Sequence, residues 1–305
     1  MASKFTYGGQ AVIEGVMIRG QSAAALAVRR PNGEVVSSCE PLATLYTGPL
    51  RKVPFLRGVI VLIETMALGM RALMHSANIA LEENEPEAKP ITAKESKLTW
   101  LMLPFGLFFG IGFFFLVPLF LTKLLDLGSP IAFAAVEGLI RMVFFVIYIA
   151  GVSLLPDMKR VFMYHGAEHM TIAAHEHGHP LEFGHIRKFP KEHPRCGTAF
   201  LITVMLVAII VFSLFGIVDP PLWMTALSRL LFVPLIAGMS YEIIKFNSAH
   251  ENSVLVKLLM TPGIWLQYIT TRKPDDKQIA VAVAAMEAAL TADGVAMEKA
   301  RAVVT

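Results

Sequence analysis

The chain has 305 residues, of which 55% are hydrophobic and only 17% charged, and its mean hydropathy is +0.58. A soluble domain of this length carries more charge, so the composition excludes an ordinary water-soluble enzyme and points to a membrane. The net charge of +3 is too small to argue for nucleic acid, and basic residues beside apolar runs are explained more simply by an anionic lipid surface.

The first predicted unit covers residues 1–50. Pro31-Asn32-Gly33 is a strong turn signal between two extended segments, Ala25 to Arg30 and Glu34 to Ser38, so a small N-terminal β unit is expected. The preceding Gly8-Gly9-Gln10-Ala11-Val12-Ile13-Glu14-Gly15 reads as a bulged strand or as a loop laid against another element. The opening residues lack the apolar stretch of a signal peptide, so insertion is expected to rely on later segments. Residues 51–97 combine an amphipathic helix, from Pro54 to about Leu81, with a polar linker over 82–97. That helix is expected to lie at the membrane interface or dock on the bundle, with a re-entrant course as the alternative.

Four apolar segments follow. Residues 98–155 hold two predicted transmembrane helices, 100 to 122 and 131 to 155, and residues 199–245 hold two more, 199 to 218 and 222 to 244. The short loops at 123–130 and 219–221 carry one cation, Lys123, whereas Lys and Arg are frequent before the first span, between the second and third, and after the fourth. This bias places both termini and residues 156–198 on the cytoplasmic side. Glu137 and Arg141 stand at i,i+4 in the second span, where a mutual ion pair is the least costly arrangement, and Arg229 is a candidate third member. Residues 246–305 read as a cytoplasmic helical tail. It begins with an interfacial helix around Trp265 and Tyr268, after which Pro274-Asp275-Asp276 caps an Ala-rich soluble helix from about Lys277 to Leu290. The expected fold is mainly α: a multi-pass membrane protein with about four transmembrane helices, the β unit and the C-terminal soluble helix.

The chemistry concentrates in 156–198, read as a cytoplasmic His-rich loop. Seven of the nine histidines fall between residues 165 and 193. Tyr164-His165-Gly166-Ala167-Glu168-His169 is an H-x-x-E-H pattern, which on a helix puts two imidazoles one turn apart with a carboxylate beside both. Inverted zincins use this spacing to bind zinc and to activate water with the glutamate. His175, His177 and His179 lie in a polar stretch and are expected to be surface residues, with His185 assigned no role. His193-Pro194-Arg195-Cys196 stands at the mouth of the third span. Only Cys39 and Cys196 are present, both on the expected cytoplasmic side, which argues against a disulfide framework and permits a lone metal thiolate. Glu242 closes the fourth span at the same membrane level and is a candidate downstream ligand. The expected metal set is thus His165, His169, His193, Cys196 and Glu242, holding zinc or another divalent transition metal, with Glu168 as general base.

Gly8 to Gly20, Pro54-Phe55-Leu56-Arg57-Gly58, Tyr164 to His169, His193 to Thr198, and Pro262-Gly263 through Leu266-Gln267 to Pro274-Asp275-Asp276 together resemble the YqhQ family of bacterial multi-pass membrane proteins. The resemblance covers nearly the whole chain and departs from the family pattern at Met170 and Lys273, neither of them an expected ligand. It implies a bacterial cytoplasmic membrane location and a predicted metal-dependent enzyme of unknown substrate. Two functions are expected from these features. One is a zinc-dependent hydrolase at the cytoplasmic membrane face, acting on a lipid or a membrane protein. The other is a non-enzymatic membrane scaffold or assembly factor with a structural metal.

Overall fold

The computed structural model describes residues 7–43, 48, 49, 53–81, 93–218, 220–250 and 253–294. The polar linker expected over 82–97 falls mostly outside them, as do the last residues of the tail.

The N-terminal unit is a four-stranded antiparallel meander of β1 (Gly8–Val12), β2 (Gly15–Arg19), β3 (Ala23–Arg29) and β4 (Val35–Pro41), in the order β1-β2-β3-β4. The glycine-rich opening is therefore a regular strand, joined to β2 by a two-residue connection in which Glu14 takes φ +52°. Gly33, at φ +90°, supplies the left-handed residue of the turn between β3 and β4, as the Asn-Gly signal required.

Side chains alternate along β2 and β3, so the sheet has two apolar faces. Met17, Leu26 and Val28 face Leu68, Ala72 and Ile79 of α1 (Leu56–Leu81). Val16, Ile18, Ala25 and Ala27 face the other way, against α4 (Pro156–Glu176) and α10 (Asp276–Ala292). The Ala-rich C-terminal helix is thus no free tail. Val281, Ala282, Ala285, Met286 and Ala289 are fully buried, and small side chains let α10 lie close across the strands. Asp275 caps it through a reciprocal pair: Gln278 N–H donates to Asp275 Oδ1 at 2.8 Å and Asp275 N–H donates to Gln278 Oε1 at 2.9 Å. Asp275→Ala is expected to destabilise this α/β/α unit by about 1 kcal/mol, read as a lower Tm in a thermal melt of the purified chain.

The apolar part of the chain is helical: α2 (Ala93–Lys123), α3 (Pro130–Val152), α6 (Gly197–Gly216), α7 (Leu222–Leu231), α8 (Val233–Ala249) and α9 (Val254–Thr270), with a single turn, α5 (Phe183–Ile186), before them in the connection from α4 to α6. Among the described residues α3 and α6 are long and apolar enough to cross a membrane. The segment expected as a fourth span is broken at Phe232, where α7 and α8 meet at 49°, and the two count as a third candidate span only as a pair. The apolar stretch described in α2, Phe108–Lys123, is shorter than a span.

Between these helices Glu137 accepts from Arg141 one turn on, and from Arg229 Nε of α7 at 3.0 Å. The expected pair is therefore a buried triad. Arg229 Cζ also lies 3.8 Å from the centre of the Phe212 ring and Arg141 Cζ 4.5 Å from that of Phe115, so aromatic faces share the excess positive charge.

Candidate metal centre

The region expected as a His-rich loop is chiefly helix. Pro156 opens α4 at its first turn, where a missing N–H costs nothing, and the helix runs to Glu176 with a largely buried middle. His165 and His169 consequently project from one face with their rings 4.3 Å apart. Cys196 is the N-cap of α6: its sulfur accepts from Thr198 N–H at 3.4 Å, at the end of the helix where negative charge is favoured.

These three residues meet. Cys196 Sγ lies 3.2 Å from His165 Nε2, and one ligand atom from each of His165, His169 and Cys196 falls within 4.8 Å of the others. Two donors on one zinc sit roughly 3–4 Å apart, given zinc–ligand bonds of about 2.0–2.3 Å. Both imidazoles are held from behind. Nδ1 of His165 is 2.8 Å from the Thr270 carbonyl, and Nδ1 of His169 is 2.7 Å from the Lys191 carbonyl. A carbonyl only accepts, so each Nδ1 carries the proton and each neutral ring turns its Nε2 lone pair to the cluster, the arrangement that orients metal-bound histidines. Burial pushes the His169 pKa down, outweighing the opposite pull of a hydrogen bond to Cys196, and so favours the neutral ring. The donor set fits a transition metal.

Glu168 points beside the cluster, with Oε2 3.9 Å from His165 Nε2. It is 4% exposed, and burial raises its pKa although His165 and His193 pull the other way. A buried carboxyl with a raised pKa holds a proton more readily than a free one, which suits it to take a proton and return it. Its neighbour across the gap is Gly9 of β1, where a Cβ would sit 2.6 Å from Glu168 Oε1.

Two expected ligands lie elsewhere. His193 is close, its ring centre 5.7 Å from that of His169, but both its nitrogens are engaged: Nε2 lies 3.2 Å from Glu176 Oε2, and Nδ1 accepts from Arg195 N–H at 3.3 Å. It supports the turn that delivers Cys196. Gln267 of α9 grips the same turn, accepting from His193 N–H at 2.8 Å and donating to His193 O at 2.9 Å. Glu242 is not at the centre. Its carboxylate accepts from Arg57 Nε at 2.7 Å, from a second guanidinium nitrogen, and from Phe55 N–H at 3.0 Å, so it bolts α8 to the start of α1. His175, His177, His179 and His185 also stay out of the cluster; His177 bonds back to Ala173 O, and His179 stacks with His185 and Phe189.

The arrangement also uses groups that the sequence reading passed over: the carbonyls of Thr270 and Lys191, the amide of Gln267, and Gly9. Gln267 had a signal, since it belongs to one of the motifs that carry the family resemblance, whereas the carbonyls had none.

A cavity of about 730 Å³ adjoins the centre. His165, Cys196 and Thr198 line one end; Ile63 and Met66 of α1 and Phe162 of α4 form its apolar wall. That volume lies within the usual range of small-molecule and cofactor sites.

A family profile described as "Protein of unknown function (DUF1385)" matches residues 53–292. The chain is also 33% identical over 290 residues to "Uncharacterized protein YqhQ" of Bacillus subtilis, covering 91% of this chain and 90% of that protein. No solved structure matches the chain.

Proposed function

This chain belongs to the DUF1385 family of proteins of unknown function, and from that premise we propose that it is a metal-dependent hydrolase working at the face of a membrane. His165, His169 and Cys196 hold the metal, with zinc the best match to two imidazoles and a thiolate. When bound, zinc polarises the scissile carbonyl or phosphoryl group and makes water a stronger nucleophile. Glu168 takes one proton from the attacking water and returns it to the leaving group. The water oxygen becomes bonded to the acyl carbon or phosphorus as the bond to the leaving group breaks.

One observation carries this reading. Two imidazoles fixed through Nδ1 and one sulfur converge beside a buried carboxyl and a cavity, with three protein donors as in catalytic zinc sites. In the membrane arrangement we adopt, four segments cross a bacterial cytoplasmic membrane and both termini and the centre lie on the cytoplasmic side.

A structural metal in a scaffold is the competing reading. X-ray absorption on the zinc-loaded, detergent-purified chain separates the two. The hydrolase reading expects two nitrogens, one sulfur and a further light atom from solvent or Glu168. A shell closed by a third imidazole or a second sulfur overturns it.

A further inference from the structure

We infer that the outer edge of β1 docks an extended, apolar peptide segment, which pairs with it as a fifth strand and runs past His165 and Cys196; this names a substrate class and rests, for its chemistry, on the hydrolase reading. β1 is an edge strand, paired only with β2.

The direction of its polar groups follows from the ladder. Arg29 N–H donates to the Glu14 carbonyl at 2.8 Å, which makes Gly15 and Val28 a pair without mutual hydrogen bonds and turns the polar groups of Gly15 toward β1. Val12, Gln10 and Gly8 therefore bond β2, while Gly9 and Ala11 direct N–H and C=O away from the sheet. Among the described residues no other group takes up those four donors and acceptors. Gly9, Gln10 and Ala11 all line the cavity that His165 and Cys196 border.

Gly9 is exposed and Ala11 half-buried, so their outward N–H and C=O groups form an open sheet edge, the kind of template on which a further strand pairs. An acyl chain would fill the apolar wall but make no bond to the outward groups of Gly9 and Ala11. A peptide in extended form satisfies both: its amides pair with β1 and alternate side chains enter the wall. Ile63 and Met66 line the cavity and are 51% and 41% exposed, so the mouth opens along α1. Glu168, beside His165, abuts Gly9, which puts the proton-transferring carboxyl next to the pairing edge.

The probe is a fluorescein-labelled octapeptide of alternating Leu and Ser with a terminal Lys pair, beside a twin N-methylated at alternate residues. Binding to the full zinc-loaded chain in detergent is read by fluorescence polarisation, and zinc content is measured on the same samples. The octapeptide is expected to bind, and its twin at least about tenfold more weakly, since two or more main-chain hydrogen bonds are blocked. Ala11→Pro removes an outward N–H without touching the β1–β2 ladder, so it is expected to weaken the octapeptide about tenfold at unchanged Tm and zinc content. Hydrogen exchange in the β1 peptide slows on binding. Equal binding of the two peptides to the wild-type chain overturns the proposal whether or not the Ala11→Pro variant folds. So does absence of binding with zinc retained, or displacement of an equally tight twin by palmitoyl lysophosphatidylglycerol, which identifies a lipid site. Selective octapeptide binding by a chain that holds no zinc supports the strand edge and removes the metal reading alone.

Discussion

His165→Ala and Cys196→Ala are each expected to lower the zinc bound by the purified chain at least about tenfold, since loss of a ligand costs more than the 10- to 100-fold typical of losing a supporting hydrogen bond. The reason is geometric. Each imidazole is held by one carbonyl in the tautomer that faces the cluster, and Cys196 is fixed by its place at the start of α6. Neither substitution leaves a neighbour able to substitute, because His193 is committed to Glu176 and the Arg195 amide. Glu242→Gln is the informative control: its carboxylate is bound by Arg57, so zinc content stays at the wild-type value while the α1–α8 junction weakens. The measurement is elemental analysis of detergent-purified protein after dialysis. Undiminished zinc in both ligand variants removes the metal centre from the account.

Glu168→Gln is expected to lower function by about 10²- to 10⁴-fold with zinc retained, the usual worth of a positioned general base. Glutamine fills the same space against Gly9 and makes no new charge in a buried place, so folding is preserved. What it lacks is a site for the water proton. In-cell complementation of a strain lacking the chain, with zinc measured on the same variant, is the test. A variant that keeps both zinc and full function shows that Glu168 moves no proton, and turns the centre toward a structural role.

Much of this architecture was legible in the sequence where the signal is local. Pro31-Asn32-Gly33 marked a turn because it needs a left-handed residue, Pro274-Asp275-Asp276 marked a helix start because an aspartate side chain takes up a free N–H of the first turn, and His165 with His169 marked a shared face because one helical turn brings them together. Long-range partnerships were less visible. Glu242 was placed at the centre from chain order and membrane level alone, and both are satisfied equally by its true partner, Arg57, 185 residues away. The carbonyls of Thr270 and Lys191 leave no mark in a sequence, since every residue has one. Burial of α10 was hidden for another reason: its alanines give a weak apolar signal, and only the close approach of strand and helix makes small side chains the better core.

That last feature bears on how the protein is made. The sheet is made before the apolar helices and its cover, α10, after them. The strands cannot bury one of their faces until the apolar helices between have been made, and Thr270, which fixes His165, lies beyond most of those helices too. The centre is therefore completed only after the apolar helices have been made, which leaves any chain arrested among them without a formed site.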